Sequence, residues 1–222
     1  QVALFAALWI VPAVGLTLGY RARVCAAVVL VVAVAQQAFD QSFQAHHMDF
    51  LVVVLLLVAI SESDSAVSIR AWRDKTPPRD VVAWPVWLLQ VQLSIVYFYT
   101  AAAKLNAPFL SGQVLLDRLA LPDFARDPAV IAVVATGTVG LEFFLAFALW
   151  VPRTRPYAVA MGLVLHGIVP LLMGIYAGLV VFSLLVFGIY ALFLDDLAVE
   201  RGRDRVGMIL LRARGVFTRP IG

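Results

Sequence analysis

Apolar residues fall along this chain in long runs separated by short polar loops. A helix needs about 20 such residues to cross a hydrocarbon core. Seven stretches meet or approach that length: Val2–Tyr20, Val24–Phe39, Met48–Ser61, Val81–Ala103, Ala129–Val151, Tyr157–Met173 and Tyr176–Leu194. The second and third are short, and a tight Gly174-Ile175 turn divides the last two. The pattern predicts an all-α fold, a polytopic transmembrane helix bundle of about seven membrane segments. The longest connection between these runs, Leu105–Pro128, mixes Phe109, Leu110 and Val114–Leu116 with Ser111, Gly112, Asp117 and Arg118. It predicts a short amphipathic or re-entrant helix capping one face. Ser61–Ser65 reads as a cap leading into an interfacial helix through Trp72.

Composition removes the soluble alternatives. Of 222 residues, 63% are hydrophobic and 14% charged, with a mean hydropathy of +0.94. Soluble domains sit near half apolar and a quarter charged. Only lipid can cover such a surplus. The single cysteine, Cys25, excludes a disulfide framework and a thiolate metal cluster. The chain is apolar from Val2 without a preceding methionine, which favours a further helix upstream of it.

The net charge of +3 raises nucleic acid as a partner, but the placement of the basic residues explains it better. Arg21 and Arg23, then Arg70 through Arg79, then Arg153 and Arg155, then the tail from Arg201 to Arg219 lie in every second loop, and so on one side of successive crossings. The remaining loops hold Lys104, Arg118 and Arg126 of the 17 basic residues. That asymmetry puts the basic loops in the cytoplasm and the N-terminus outside. Residues 1–195 then form the transmembrane domain, and 196–222 a basic cytoplasmic tail drawn to anionic lipid headgroups. Membrane lipids are the expected partners, and nucleic acid is not.

Polar groups at membrane depth are costly, so each one is a candidate. On the fourth stretch, Gln90, Ser94, Tyr97, Ala101 and Lys104 recur at helical spacing along one face. Such a stripe lines a cavity, or else it glues helices together with Lys104 reaching to the surface. Lys104 is one of two lysines in a chain whose other basic residues are arginine. A desolvated lysine can serve as a base where arginine cannot. Glu142 and His166 fall near the middle of the fifth and sixth stretches and are placed to pair with each other. His46 and His47 lead the third stretch at the same outer level as Lys104. Adjacent histidines diverge on a helix, and no metal-binding ladder follows, so no metal is predicted.

Val91–Asn106, with Phe109 and Gly112 beyond it, resembles the membrane domain of vitamin K-dependent gamma-carboxylases, the HTTM (horizontally transferred transmembrane) domain shared by many bacterial proteins. The shared pattern is Gln92, an Ile-Val-Tyr-Phe run ending at Phe98, the Lys104-Leu105 pair, an aromatic at Phe109 and then Gly112. Gly19–Arg23, His46-His47 and His166 with its Pro/Gly-interrupted run are weaker echoes.

The resemblance implies a bacterial cell membrane protein that holds a vitamin K-like quinol. Lys104 is the candidate base and His46 and His47 its catalytic partners, while Gln92, Ser94, Tyr97, Glu142 and His166 contact the cofactor. In the carboxylases, a lyase activity, the matching lysine deprotonates vitamin K hydroquinone so that a peptide glutamate can take up CO2. Two departures matter: Phe109 stands where the family usually has Trp, and no large extramembrane domain follows the last stretch. Peptide carboxylation is therefore not expected of this chain by itself, whereas quinol oxidation is. The alternative is a non-catalytic subunit of a membrane or peptide partner, or a proton-coupled transporter-like protein using Glu142 and His166.

Overall fold

The computed structural model describes residues 2–39, 46–63, 82–118, 126–173 and 177–194. Each of the seven apolar stretches is helical within those limits. The long helices are α1 (Val2–Thr17), α2 (Ala22–Phe39), α3 (His46–Ile60), α4 (Trp84–Ala103), α7 (Pro128–Ala148), α8 (Arg155–Leu172) and α9 (Ala177–Ala191). Two short helices, α5 (Ala107–Leu110) and α6 (Gln113–Arg118), lie between α4 and α7. No strand occurs among the described residues. Four helices, α2, α4, α7 and α8, are long and apolar enough to cross a membrane, while α1, α3 and α9 contribute shorter apolar segments. At 1.5 Å per residue, α3 is only about 22 Å long, short of a typical hydrocarbon core.

The chain divides into two compact units, residues 1–192 and 193–222. Of the second, the structure describes 193 and 194, so the basic tail lies outside the described residues, as does the interfacial helix expected beyond Glu62.

Within the first unit, neighbours run antiparallel. Gly15 of α1 meets Cys25 of α2. Arg23 of α2 donates to the carbonyls of Ala59 and Ile60, both at 3.4 Å, and so satisfies orphan acceptors at the end of α3. Ala26, Val29, Leu51 and Leu55 form the α2–α3 core. Helix α4 packs mainly on α7, with Ala101, Phe109, Ala135 and Val139 buried between them. Small side chains at that seam let the backbones approach, as lipid-embedded helices require. Large apolar side chains point outward in compensation, and Val133 is 72% exposed. Such a surface is stable only against lipid.

The turn between α7 and α8 closes on its own carbonyls, with Thr154 Oγ1 donating to Ala148 O and Arg155 Nε to Leu149 O. At the other end of α7, Asp127 Oδ1 accepts from Ala129 and Val130 N–H, with Pro128 following as the first helical residue. These caps fix where α7 begins and ends, which matters below.

Candidate functional site

The polar stripe of α4 reaches a different neighbour at each step. Gln90 Nε2 donates to Leu192 O, just beyond α9, at 2.7 Å. Ser94 Oγ accepts from Trp150 Nε1 at 2.7 Å, just past the end of α7. Tyr97 meets His166 of α8 at 2.7 Å and also Tyr190 of α9. Ala101 is fully buried against α7. Lys104, the C-cap of α4, pairs with Glu142 of α7. One helix face therefore ties α4 to the ends of α7 and α9 and to α8 through Gln90, Ser94 and Tyr97.

The Tyr97–His166–Tyr190 cluster is almost dry, with Tyr97 2%, His166 8% and Tyr190 1% exposed. A hydroxyl has one proton to give and two lone pairs. Tyr190 donating to Tyr97, and Tyr97 to His166 Nε2, satisfies both contacts with one proton per hydroxyl. Gly162 makes this possible, because a Cβ there would collide with the Tyr190 hydroxyl. His166 also meets the Phe182 ring edge at 5.5 Å, and Phe182 meets Phe50 at 5.5 Å. Phe50 stands one turn from His47 on α3.

Lys104 and Glu142 form the second cluster. Lys104 Nζ donates to Glu142 Oε1, and the two side chains are 27% and 10% exposed. Lys104 Nζ also lies 5.6 Å from the Phe109 ring centroid, within cation–π range. The residues after Lys104 explain that position. Asn106 caps α5, its Oδ1 accepting from Phe109 N at 3.0 Å, and this cap turns Phe109 back beneath the lysine. Gly112 has φ +82, and a Cβ there would sit 3.0 Å from the Ile131 carbonyl carbon. Only glycine allows that turn to press on α7. The spacing Lys104, Asn106, Phe109, Gly112 is thus a folded cover over the ion pair.

This cover changes the depth of the lysine. Gly112 rests on Ile131, while Lys104 meets Glu142, 11 residues or roughly 16 Å further along α7. Helix α4 stops partway along its partner, and α5–α6 fills the remaining length. The pairing expected from depth, Glu142 with His166, does not form; Glu142 takes Lys104 and His166 takes Tyr97.

The other candidates are placed as follows. His47 of α3 packs against α9, where a Cβ at Gly178 would be 2.5 Å from Nε2. Lys104 bonds to Glu142 and lies over Phe109, away from this histidine's contact. His46 opens α3, and its side chain lies outside the described residues. Gln92 is half-buried and stands about 140° round α4 from Tyr97, off the polar face. Among the described residues, no group of three His, Cys, Asp or Glu side chains gathers to hold a metal.

Glu142 carries one further feature. The residue is 7% exposed, and its Oε2 has no hydrogen-bond partner among the described residues. Thr100 stands beside the carboxylate, and its single hydroxyl proton lies within reach of Val96 O at 2.8 Å, of Tyr97 O at 3.1 Å and of the Glu142 carboxylate. A buried acceptor left open in this way suits a ligand that brings its own donor. The pair also remains partly accessible, through Lys104.

A family model, the HTTM domain, matches residues 1–195. No curated protein and no solved structure matches the chain.

Proposed function

The chain belongs to the HTTM domain family, an integral membrane protein by its apolar helices, and we propose that it binds a lipid-soluble quinol beside the Lys104–Glu142 pair. The observation that carries this reading is a lysine, partly exposed, held against a buried carboxylate under an aromatic cover. Snorkelling or helix glue needs neither the buried carboxylate nor the folded cover. A quinol supplies an acidic hydroxyl and two ring electrons when bound.

The protein's own part is proton handling. In a dry site an ion pair and its neutral form approach each other in energy, because desolvation penalises both charges. A shift of one proton from Lys104 Nζ to Glu142 Oε1 leaves a neutral amine, which is a competent base. Phe109 and the α5–α6 cover limit water around Nζ, which strengthens that chemistry. Tyr97 and His166 stiffen the helices below the pair, and their bonds are satisfied among themselves. The protein would sit in a bacterial cell membrane, with the loop that holds Lys104 on the outer side, as the placement of the basic loops implies. His46 and His47 would act at the mouth of the site and not on the pair itself.

Under this reading the transporter-like alternative loses its motive, since Glu142 and His166 bond to other residues. The test is oxygen-dependent oxidation of a naphthoquinol by purified protein in lipid nanodiscs. Wild type should turn it over, and Lys104→Ala should lose at least a hundredfold, in line with removal of a general base. Equal rates in the two proteins would remove Lys104 from this role.

A further inference from the structure

The unpartnered oxygen of Glu142 narrows what the site recognises, and this step rests on the quinol reading above. Oε1 is engaged by Lys104, whereas Oε2 is buried and without a donor among the described residues. Leaving a buried charged acceptor open is costly, so such an atom points to a partner that arrives from elsewhere. We infer that Glu142 Oε2 is the acceptor for a hydroxyl of an uncharged aromatic ligand, which makes Glu142 the residue that tells a quinol from its quinone.

Three observations set the ligand's chemistry. The Lys104–Glu142 pair is neutral as a unit. A cationic ligand would leave a net charge in apolar surroundings, and an anion would face the carboxylate. The donor therefore belongs to an uncharged group, and the hydroxyl of a quinol is one. The surrounding side chains are aromatic: Phe109 lies 5.6 Å from Lys104 Nζ, and Phe143, next in sequence to Glu142, packs on the Ala101–Phe109 cluster. Phe98 meets Phe143 edge-on at 5.6 Å. Flat rings suit such edges and faces.

Access follows from the same geometry. Oε2 is shielded from solvent in this state, while the Lys104 side chain above it is 27% exposed. The lysine stem is long and flexible, so its carbons can shift aside for an entering ligand while Nζ stays on Oε1. Oε1 keeps its lysine and Oε2 receives the hydroxyl.

A quinone has no O–H to offer. A glutamine at 142 would place an amide N–H where Oε2 stood, converting the acceptor into a donor at nearly constant shape. The experiment measures binding by titration calorimetry in nanodiscs, using 1-naphthol and its O-methyl ether, and then a naphthoquinol and its quinone. Wild type should prefer naphthol over the ether, and quinol over quinone, by about tenfold or more, as expected of a hydrogen bond to a charged group. Glu142→Gln should abolish or invert both preferences.

Infrared difference spectra of the wild-type protein give a readout that needs no variant. Naphthol should shift a carboxyl band and the ether should not. Equal affinity for naphthol and ether in wild type, or a preference unchanged in Glu142→Gln, would overturn the inference. If the quinol still bound and Lys104→Ala abolished that binding, the quinol reading would stand alone. Naphthol preference without quinol binding would support the Glu142 assignment and remove the quinol. Binding of none of the four would remove both.

Discussion

Removing the Lys104 side chain isolates the energetics of the site. Lys104→Met keeps the aliphatic stem but deletes the ammonium that engages Glu142 Oε1. Both carboxylate oxygens then lack a donor, in a side chain only 10% exposed. Stranding a buried charge in this way costs about 3–5 kcal/mol. Lys104 is itself 27% exposed, so part of its attraction is already screened and the lower end, about 3 kcal/mol, applies. That corresponds to more than a hundredfold in the folding equilibrium. Glu142→Gln leaves a neutral acceptor for the lysine and should cost about 1 kcal/mol. The double variant removes both charges and should match Glu142→Gln to within about 0.5 kcal/mol. The assay is reversible unfolding in mixed micelles, followed by circular dichroism, for all four proteins of the cycle. A coupling energy of about 3 kcal/mol is expected. Additive single effects would mean that the two side chains do not share a buried pair, and the site as described would fall.

Other parts of the structure give sharper mechanical tests. Tyr97→Phe strands His166 Nε2 and the Tyr190 hydroxyl together and should cost about 1–3 kcal/mol by the same unfolding assay, more than Tyr190→Phe; the reverse order would refute the proposed direction of donation. Gly162→Ala should cost about 1–3 kcal/mol by overpacking against Tyr190, and Tyr190→Leu in the same chain should recover most of it. Asn106→Ala should cost about 1 kcal/mol through its lost cap. Gly112→Ala should cost more, since it adds a positive φ to a contact with α7; both variants should weaken naphthoquinol binding, and unchanged binding would separate the cover from the site.

Much of the fold was legible because lipid imposes a simple rule: apolar runs must be helical and long. The runs beginning at Val24, Val81, Ala129 and Tyr157 became helices long enough to cross. The stripe on α4 was equally legible, since Gln90, Ser94, Tyr97 and Lys104 share a face by spacing alone. Which neighbours they would meet was not. Depth counted from the loops put Lys104 at the surface and Glu142 beside His166. The structure differs because α4 ends beside the middle of α7, a mismatch made by the Asn106 cap and the Gly112 turn. Tyr190 escaped notice altogether. A tyrosine in an apolar run gives no periodic signal, and its role depends on the space left by Gly162 on another helix. The open Oε2 of Glu142 is likewise invisible in sequence, because an unmet hydrogen bond is a property of the packed state.

The most direct test of a quinol site is to ask what the protein carries out of the membrane. Purified protein is extracted with organic solvent and the extract analysed by mass spectrometry, with protein of the same yield and unfolding profile bearing Lys104→Ala and Glu142→Gln beside it. Wild type should release a prenylated quinone at close to one per chain, and both variants should release at least tenfold less. Wild type without quinone, or variants that retain as much as wild type, would contradict the assignment of Lys104 and Glu142 as a quinol site.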